Sequence, residues 1–339
     1  MKTGDGTPGK STPPAVPRRP LLAAAGLAPV LVGLGGDSVA QSAAAHDPGS
    51  GPPAKPLPTP VPTTEADWVD VVRALGRPGR IIRRTYHHTP FPRHDLHVVS
   101  RGVVVSPGLA LGSHVSFARY DNGSTLMMGD LAVTADEIPA LTDALHAHGI
   151  SQTAIHKHLP AQTPDIWWTH ICAHGHDAAT LARGLRTALD STGTPPPHRP
   201  RPSRPLDLDI AGINAALGVT GTSSEDVHAC VFVRRETIIE EGHVLPPGLG
   251  ATSAFNFQPL GGGRAALSGD LAMVAAEVQD AHAALLRGGF ELVELHNHGL
   301  TDEPRLFFTH IWAKGDAVAL ARAVRPALAV TNVTPAPSD

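Results

Sequence analysis

His296 and His298, one residue apart, and His310 beyond them give the spacing H-x-H-x11-H, and His156, His158 and His170 repeat it 140 residues earlier. Neutral imidazole is a metal ligand, and three imidazoles around an open fourth position are a donor set that catalytic zinc uses. The same nitrogens suit other transition metals. Residues i and i+2 on a β-strand point to one face, so a strand would present each His pair together and turn Asn297 or Lys157 away. Asp130 and Asp270, in the matched strings Gly129-Asp130-Leu131-Ala132 and Gly269-Asp270-Leu271-Ala272, add a fourth ligand or an outer acceptor that fixes a His tautomer. Glu303 and Arg305, between His298 and His310, offer a general base and an anion clamp. Plainer readings stand beside these: His pairs facing solvent, a satisfied carboxylate at a β-bulge, an exposed ion pair in a turn. A metal centre, a metal-free polar pocket and a structural cluster therefore stay open.

The match extends well beyond the histidines. Residues 102–175 and 242–315 align without a gap, with 25 of 74 positions identical, which marks a duplicated domain rather than a solenoid. Each copy opens with a short helix, 67–75 and 209–217, stopped by Gly76 or Gly218. In the first copy strand-like runs follow at 97–106, 113–120 and 125–133, then an amphipathic helix from Glu137 to Gly149. Strands at 151–159 and 166–173 are joined by a turn containing Pro164. Asp177 caps a last helix with a Leu181, Leu185, Leu189 stripe, and Asp316, Leu320, Val324 and Leu328 repeat it. The order β-α-β-β-α predicts an α+β protein, a tandem duplication of an antiparallel-sheet domain with helices on one face and a ferredoxin-like core. In that arrangement the His170 strand lies between those carrying Asp130 and His156. Each helix-free face is expected to carry a His-lined pocket; packed face to face, two such sheets would enclose both His clusters in a dry sandwich or barrel.

The remaining segments set boundaries. Residues 1–40 read as a signal peptide: Arg18-Arg19, an apolar run from Leu21 to about Gly36, and small residues at Ser38-Val39-Ala40. The run is too short to span a bilayer comfortably; the paired arginines fit the Tat route, with an ordinary Sec signal as the alternative. A disordered Pro/Ala-rich spacer covers 41–64, the repeats 65–192 and 206–334, a Pro/Arg-rich linker 193–205 and a tail 335–339. These features predict a protein secreted or held outside the cell envelope, with no stable membrane span after processing. A net charge of −4 argues against nucleic acid as a partner. No nucleophile elbow, phosphate loop, dinucleotide fingerprint or HExxH motif occurs. Cys172 and Cys230 read as buried free thiols; export permits a disulfide, but the Cα atoms would have to lie within about 7 Å.

The strings LALGS, MMGDLAVTADEI, FNFQPLGGGRAALSGDLA and LHNHGLTDEPRLFFTHIWAKGD resemble the LppY/LpqO family of exported bacterial proteins, over about Asp67 to Thr331. The resemblance implies export and a tandem domain, and carries no established reaction. It places the family's HNH element on His296-Asn297-His298, its charged turn on Glu303-Pro304-Arg305 and its final His on His310. The first copy departs, with Lys157, Thr163 and Asp165 at the corresponding positions, which points to the second repeat as the working site. The expected activity is binding or turnover of a small molecule at a divalent metal, zinc or another transition ion. A non-catalytic metal or ligand carrier, or a structural envelope protein, is the alternative. N-terminal sequencing of secreted protein is expected to begin near Gln41; retention of the full chain in the cytoplasm would refute the export reading.

Overall fold

The computed structural model describes Met1 and residues 56–197, 205–224 and 226–337. Residues 2–40 of the expected signal peptide, 41–55 of the spacer, 198–204 of the linker and 338–339 of the tail lie outside the described residues. The rest of the spacer, expected to be disordered, is instead tied to the first repeat, Val61 N donating to Arg119 O at 2.9 Å and Thr63 N to Arg84 O at 2.8 Å. Both repeats fall within one unit, Lys55–Asp339.

Each repeat builds one antiparallel sheet. The first runs α1 (Val69–Leu75), β1 (Arg80–Ile82), β2 (Tyr86–Pro92), β3 (Gly112–Arg119), β4 (Thr125–Thr134), α2 (Ile138–Ala147), β5 (Ser151–His156), β6 (Ile166–Gly175) and α3 (Ala178–Leu189), with strand order β1-β2-β3-β4-β6-β5. The second runs α4 (Ile210–Leu217), β7 (Thr222–Ser223), β8 (His228–Arg234), β9 (Thr252–Gly261), β10 (Arg264–Val274), α5 (Val278–Arg287), β11 (Glu291–His296), β12 (Leu306–Asp316) and α6 (Ala317–Ala329). Its order, β7-β8-β9-β10-β12-β11, is the same, and β13 (Val333–Pro335) joins β8. β4 and β5 both pair antiparallel with β6. They are thus parallel to each other, with α2 as the crossover and the His170 strand between them.

Local chemistry explains most boundaries. Ala179 N donates to Asp177 Oδ1 at 2.9 Å and Ala319 N to Asp316 Oδ1 at 2.8 Å, fixing the starts of α3 and α6. Gly76 (φ 63) and Gly218 (φ 71) close α1 and α4 in the left-handed conformation that glycine adopts at no steric cost. Three expectations need correction. The run 97–106 is not one strand: Arg101 and Gly102 turn it at positive φ, leaving two-residue strands Val99–Ser100 and Val103–Val104 beside Gln162–Thr163. Gly129-Asp130 is no bulge, because β4 keeps unbroken register with both neighbours. Glycine stands there because a Cβ would lie 2.6 Å from His114 O and 2.7 Å from Val115. β2 was not foreseen, since its prolines argue against a strand. β1 pairs only with residues 86–88, so the missing N–H of Pro90 falls on an unpaired flank.

Strand alternation buries both faces of each sheet. On β4 and β6, Met127, Leu131, Val133, Ile171 and Ala173 pack against α1–α3. Leu126, Met128, Ala132, Trp168 and Cys172 point the other way, into clusters shared with the second repeat. Phe308 and Trp312 answer them from β12, and Phe255, Leu267 and Ile311 face α4–α6. The result is four layers, helices–sheet–sheet–helices, with the sheets meeting along a seam. A buried arginine ties β2 to the far end of β4. Arg93 binds Asp95 at 2.8 Å, Glu137 at 2.9 Å and Ala132 O at 2.9 Å, and Arg234 makes the same set with Glu236, Glu277 and Ala272 O. Burial alone would favour the neutral guanidine, but Asp95 and Glu137 outweigh it and hold Arg93 above its ordinary value. Arg93→Met is expected to cost about 3 kcal/mol by leaving Glu137 unpaired; a urea midpoint shift worth under about 1 kcal/mol would show that the arginine is dispensable.

Candidate metal centre

The seam carries a polar row between its two apolar ends. In register, Asp130 sits opposite His170 on β4–β6, and Asp270 opposite His310 on β10–β12. His156 and His296 are the last residues of β5 and β11. His158 and His298 lie just past those strand ends, yet on the same side, with His158 Nε2 3.0 Å from His156 Nε2. Lys157 turns outward to Asp165 and lies 3.5 Å over the Trp167 ring. Asn297 bridges the repeats, donating to Thr153 O at 3.0 Å and Gly299 O at 2.8 Å.

The two His sets interleave into one belt. His156 stacks on His296 at 4.0 Å, His158 meets His310 at 3.9 Å, and His170 meets His298 at 3.9 Å. Each contact crosses from one repeat to the other. The flanks match as well: His158 lies flat on Trp168 (4.4 Å) and His298 on Phe308 (3.3 Å). Asp130 Oδ2 is 3.0 Å from His158 Nε2, and Asp270 Oδ2 is 3.4 Å from His298 Nε2. Three groups have donor atoms within 4.8 Å of one another: His156-His296-His310, His170-His296-His298 and Asp130-His156-His158. Two of these mix repeats, so the candidate ligand groups draw on both copies rather than on the second alone.

Burial sets the charge states. Desolvation first, and neighbouring imidazoles second, drive His156, His170 and His296 well below the usual His value. His310 is lowered to about 3 by burial and then by His158. For Asp130 burial opposes ionisation, but His170, His158 and His114 outweigh it and hold the carboxyl well below its usual range. Asp270 is held low in the same way, by His310 and His298 against burial. No lysine or arginine pairs with either carboxylate among the described residues. Four of the rings, His156, His170, His296 and His310, are thus held neutral beside two ionised carboxylates, Asp130 and Asp270.

A cavity of about 360 Å³ opens beside the belt, walled by both repeats and reaching Asp130, Asp270, His158, His170, His298 and His310. Glu303 and Arg305 do not line it. Glu303 is exposed and pairs through its backbone with Ile239, while Arg305 clamps its own turn through Asp302 at 3.0 Å and Gly299 O at 3.2 Å. The cavity instead contains His114 and His88, which sequence reasoning missed. Their rings lie 5.4 Å apart, and His88 Nδ1 is 3.1 Å from Ser116 Oγ. His114 faces Ala254 across the repeat offset, so comparing the copies passes over it. Its register position opposite Asp130 was the signal that marked it.

These observations define a class: a tandem α+β protein whose duplicated sheets close on a shared His/Asp belt. The chain belongs to the family described as Domain of Unknown Function (DUF1259), whose model matches residues 70–191 and again 211–330. No curated protein matches. Among solved structures, the trimeric bacterial microcompartment shell protein PduB aligns over 73% of this chain and 86% of its own, at 16% identity and a TM-score of 0.17. EtuB from Clostridium kluyveri aligns over 72% and 87%, at 13% identity and a TM-score of 0.17. Overlap that low carries no argument about this fold or its activity.

The metal-free protein is expected to be acid-sensitive. Its buried His groups have folded-state pKa values below 6.5, so the unfolded chain takes up protons first as pH falls, and folding stability falls with it. The loss begins near 6.5 and continues toward 3, the value to which His88 and His310 are lowered. Urea midpoints measured in chelator between about pH 7 and pH 4 test this; a flat profile would contradict neutral burial of the rings.

Proposed function

We propose that the belt binds a divalent transition metal ion, zinc or a neighbour, and presents it to a small molecule in the adjoining cavity. One observation carries the reading. The half-buried His296 ring packs against four other imidazoles, His156, His170, His298 and His310, and both of its ring nitrogens are buried with no hydrogen-bond partner among the described residues. An unpaired buried polar group costs free energy, and His296, like His156, belongs to two of the candidate ligand groups. Two features support the same ion. Its charge offsets the two carboxylates, which have no lysine or arginine partner among the described residues. His298 Nδ1 lies 3.1 Å from Gly250 O and can donate to it, and its Nε2 faces Asp270 Oδ2 at 3.4 Å, so both are placed to share a cation.

A metal held there supplies Lewis acidity or an activated water. The chain's own residues exclude bulk solvent from the belt, hold His156, His170, His296 and His310 neutral, and set His114 on the cavity wall beside Asp130 as a group that can handle a proton. Glu303 and Arg305 have no part in this reading. Export through the N-terminal segment and membership of the LppY/LpqO family complete our proposal; no helix among the described residues is long and apolar enough to cross a membrane.

Elemental analysis of purified full-length protein tests the reading. His296→Ala is expected to lower the metal content by one ion per chain while the circular dichroism spectrum stays unchanged. Metal content equal to the parent's would sink the proposal.

A further inference from the structure

A second set of ligating side chains lies along the same seam, outside the belt. Cys172 and His174 follow His170 on β6 at i+2 and i+4, so alternation turns all three toward the second repeat. Glu241 reaches them from the turn between Ile239–Glu240 and His243–Val244. His174 Nδ1 is 2.8 Å from Glu241 Oε2, and one donor atom from each of Cys172, His174 and Glu241 lies within 4.8 Å of the others. His243 packs the set rather than joining it: its ring stacks on His174 at 4.5 Å, while its Nε2 is 3.1 Å from Ser124 Oγ.

The duplication provides an internal control. At the pseudo-equivalent place, 140 residues away, the three positions are Trp312, Lys314 and Arg101. There Lys314 Nζ donates to Arg101 O and Arg101 pairs with Glu291, leaving no metal ligand. Shared ancestry of the copies, which accounts for part of the doubled His pattern, therefore does not account for this set. The cluster also has the form of a site rather than of a surface ion pair. Cys172 is 1% exposed, whereas the Glu241 side chain is 44% exposed, so one wall is protein and the other opens to water.

We propose that Cys172, His174 and Glu241 form a second metal site, taking a zinc-like divalent ion through one sulfur, one nitrogen and one oxygen, with solvent completing the shell. This donor set suits a borderline-soft ion better than calcium or magnesium. In the metal-free protein burial, then Glu241 and Glu240, keep Cys172 protonated. Binding forms the metal–sulfur bond, breaks S–H and releases the proton to solvent. Thiolate and carboxylate together balance the ion's charge, and because the ligands come from both repeats the ion ties the seam together.

Cobalt(II) titration of the reduced full-length chain separates this site from the belt, because only a thiolate ligand produces a sulfur-to-cobalt charge-transfer band in the near ultraviolet. The band is expected in the parent, in His296→Ala and in Cys230→Ser, and to vanish in Cys172→Ser. Zinc should displace it. Glu241→Gln, a change at an exposed side chain, should weaken cobalt binding about tenfold or more while leaving the fold intact. Absence of the band from the reduced parent, its survival in Cys172→Ser, or unchanged affinity in Glu241→Gln would each overturn the proposal.

Discussion

The rest of the structure depends on the desolvation of a polar row between two sheets. A β-sheet with helices on one side normally leaves its other face to water, and here that face is covered by the same face of a second copy. Apolar residues at the two ends of the seam supply the driving force, with Trp168 and Phe308 fully buried. The Asp and His groups between them are carried into the interior with it. Their solution is to meet one another. Rings stack on rings across the repeats, and each carboxylate takes its partners from imidazoles. What that packing leaves unmet, two charges and several ring nitrogens, is the chemical content of the site.

Much of this was legible in the sequence because it depends on local periodicity. The spacing of His156, His158 and His170 and the alternation along β6 were enough to turn the rings to one face. Asp177 and Asp316 announced their helices, and the repeat offset announced the second copy. What could not be read was set by tertiary partners. Nothing in a linear pattern shows that His158 would meet His310 rather than a neighbour in its own repeat, so two His clusters were read where the structure has one belt. Glu303 and Arg305 drew attention by proximity in sequence, but the turn that holds them folds outward. His114 went unnoticed because the copy-to-copy comparison that exposed the other rings favours symmetric positions, and Ala254 breaks the symmetry there.

The two repeats divide their labour less simply than their differences suggest. Lys157 and Asn297, at equivalent places between the paired histidines, both point away from the belt. One pairs with an acid at the surface and the other knits the repeats together through Thr153. The cavity is asymmetric as well, its first-repeat wall bearing His88, His114 and Ser116 and its second-repeat wall Asn256 and Ser268. Beyond the belt residues, a molecule entering it would meet two further imidazoles and a hydroxyl on one side and the Asn256 amide and Ser268 hydroxyl on the other.

The linkage of both halves in one chain has a consequence for how such an interior can change. In a symmetric pair of separate subunits every substitution appears twice, on both sides of the axis. A residue that helps at one end of the interface must then be tolerated at the other. Joined in tandem, the halves escape that restriction. The indole at Trp312 can fill space at one end of the seam while the thiol at Cys172 occupies the matching position at the other, each with neighbours suited to it alone.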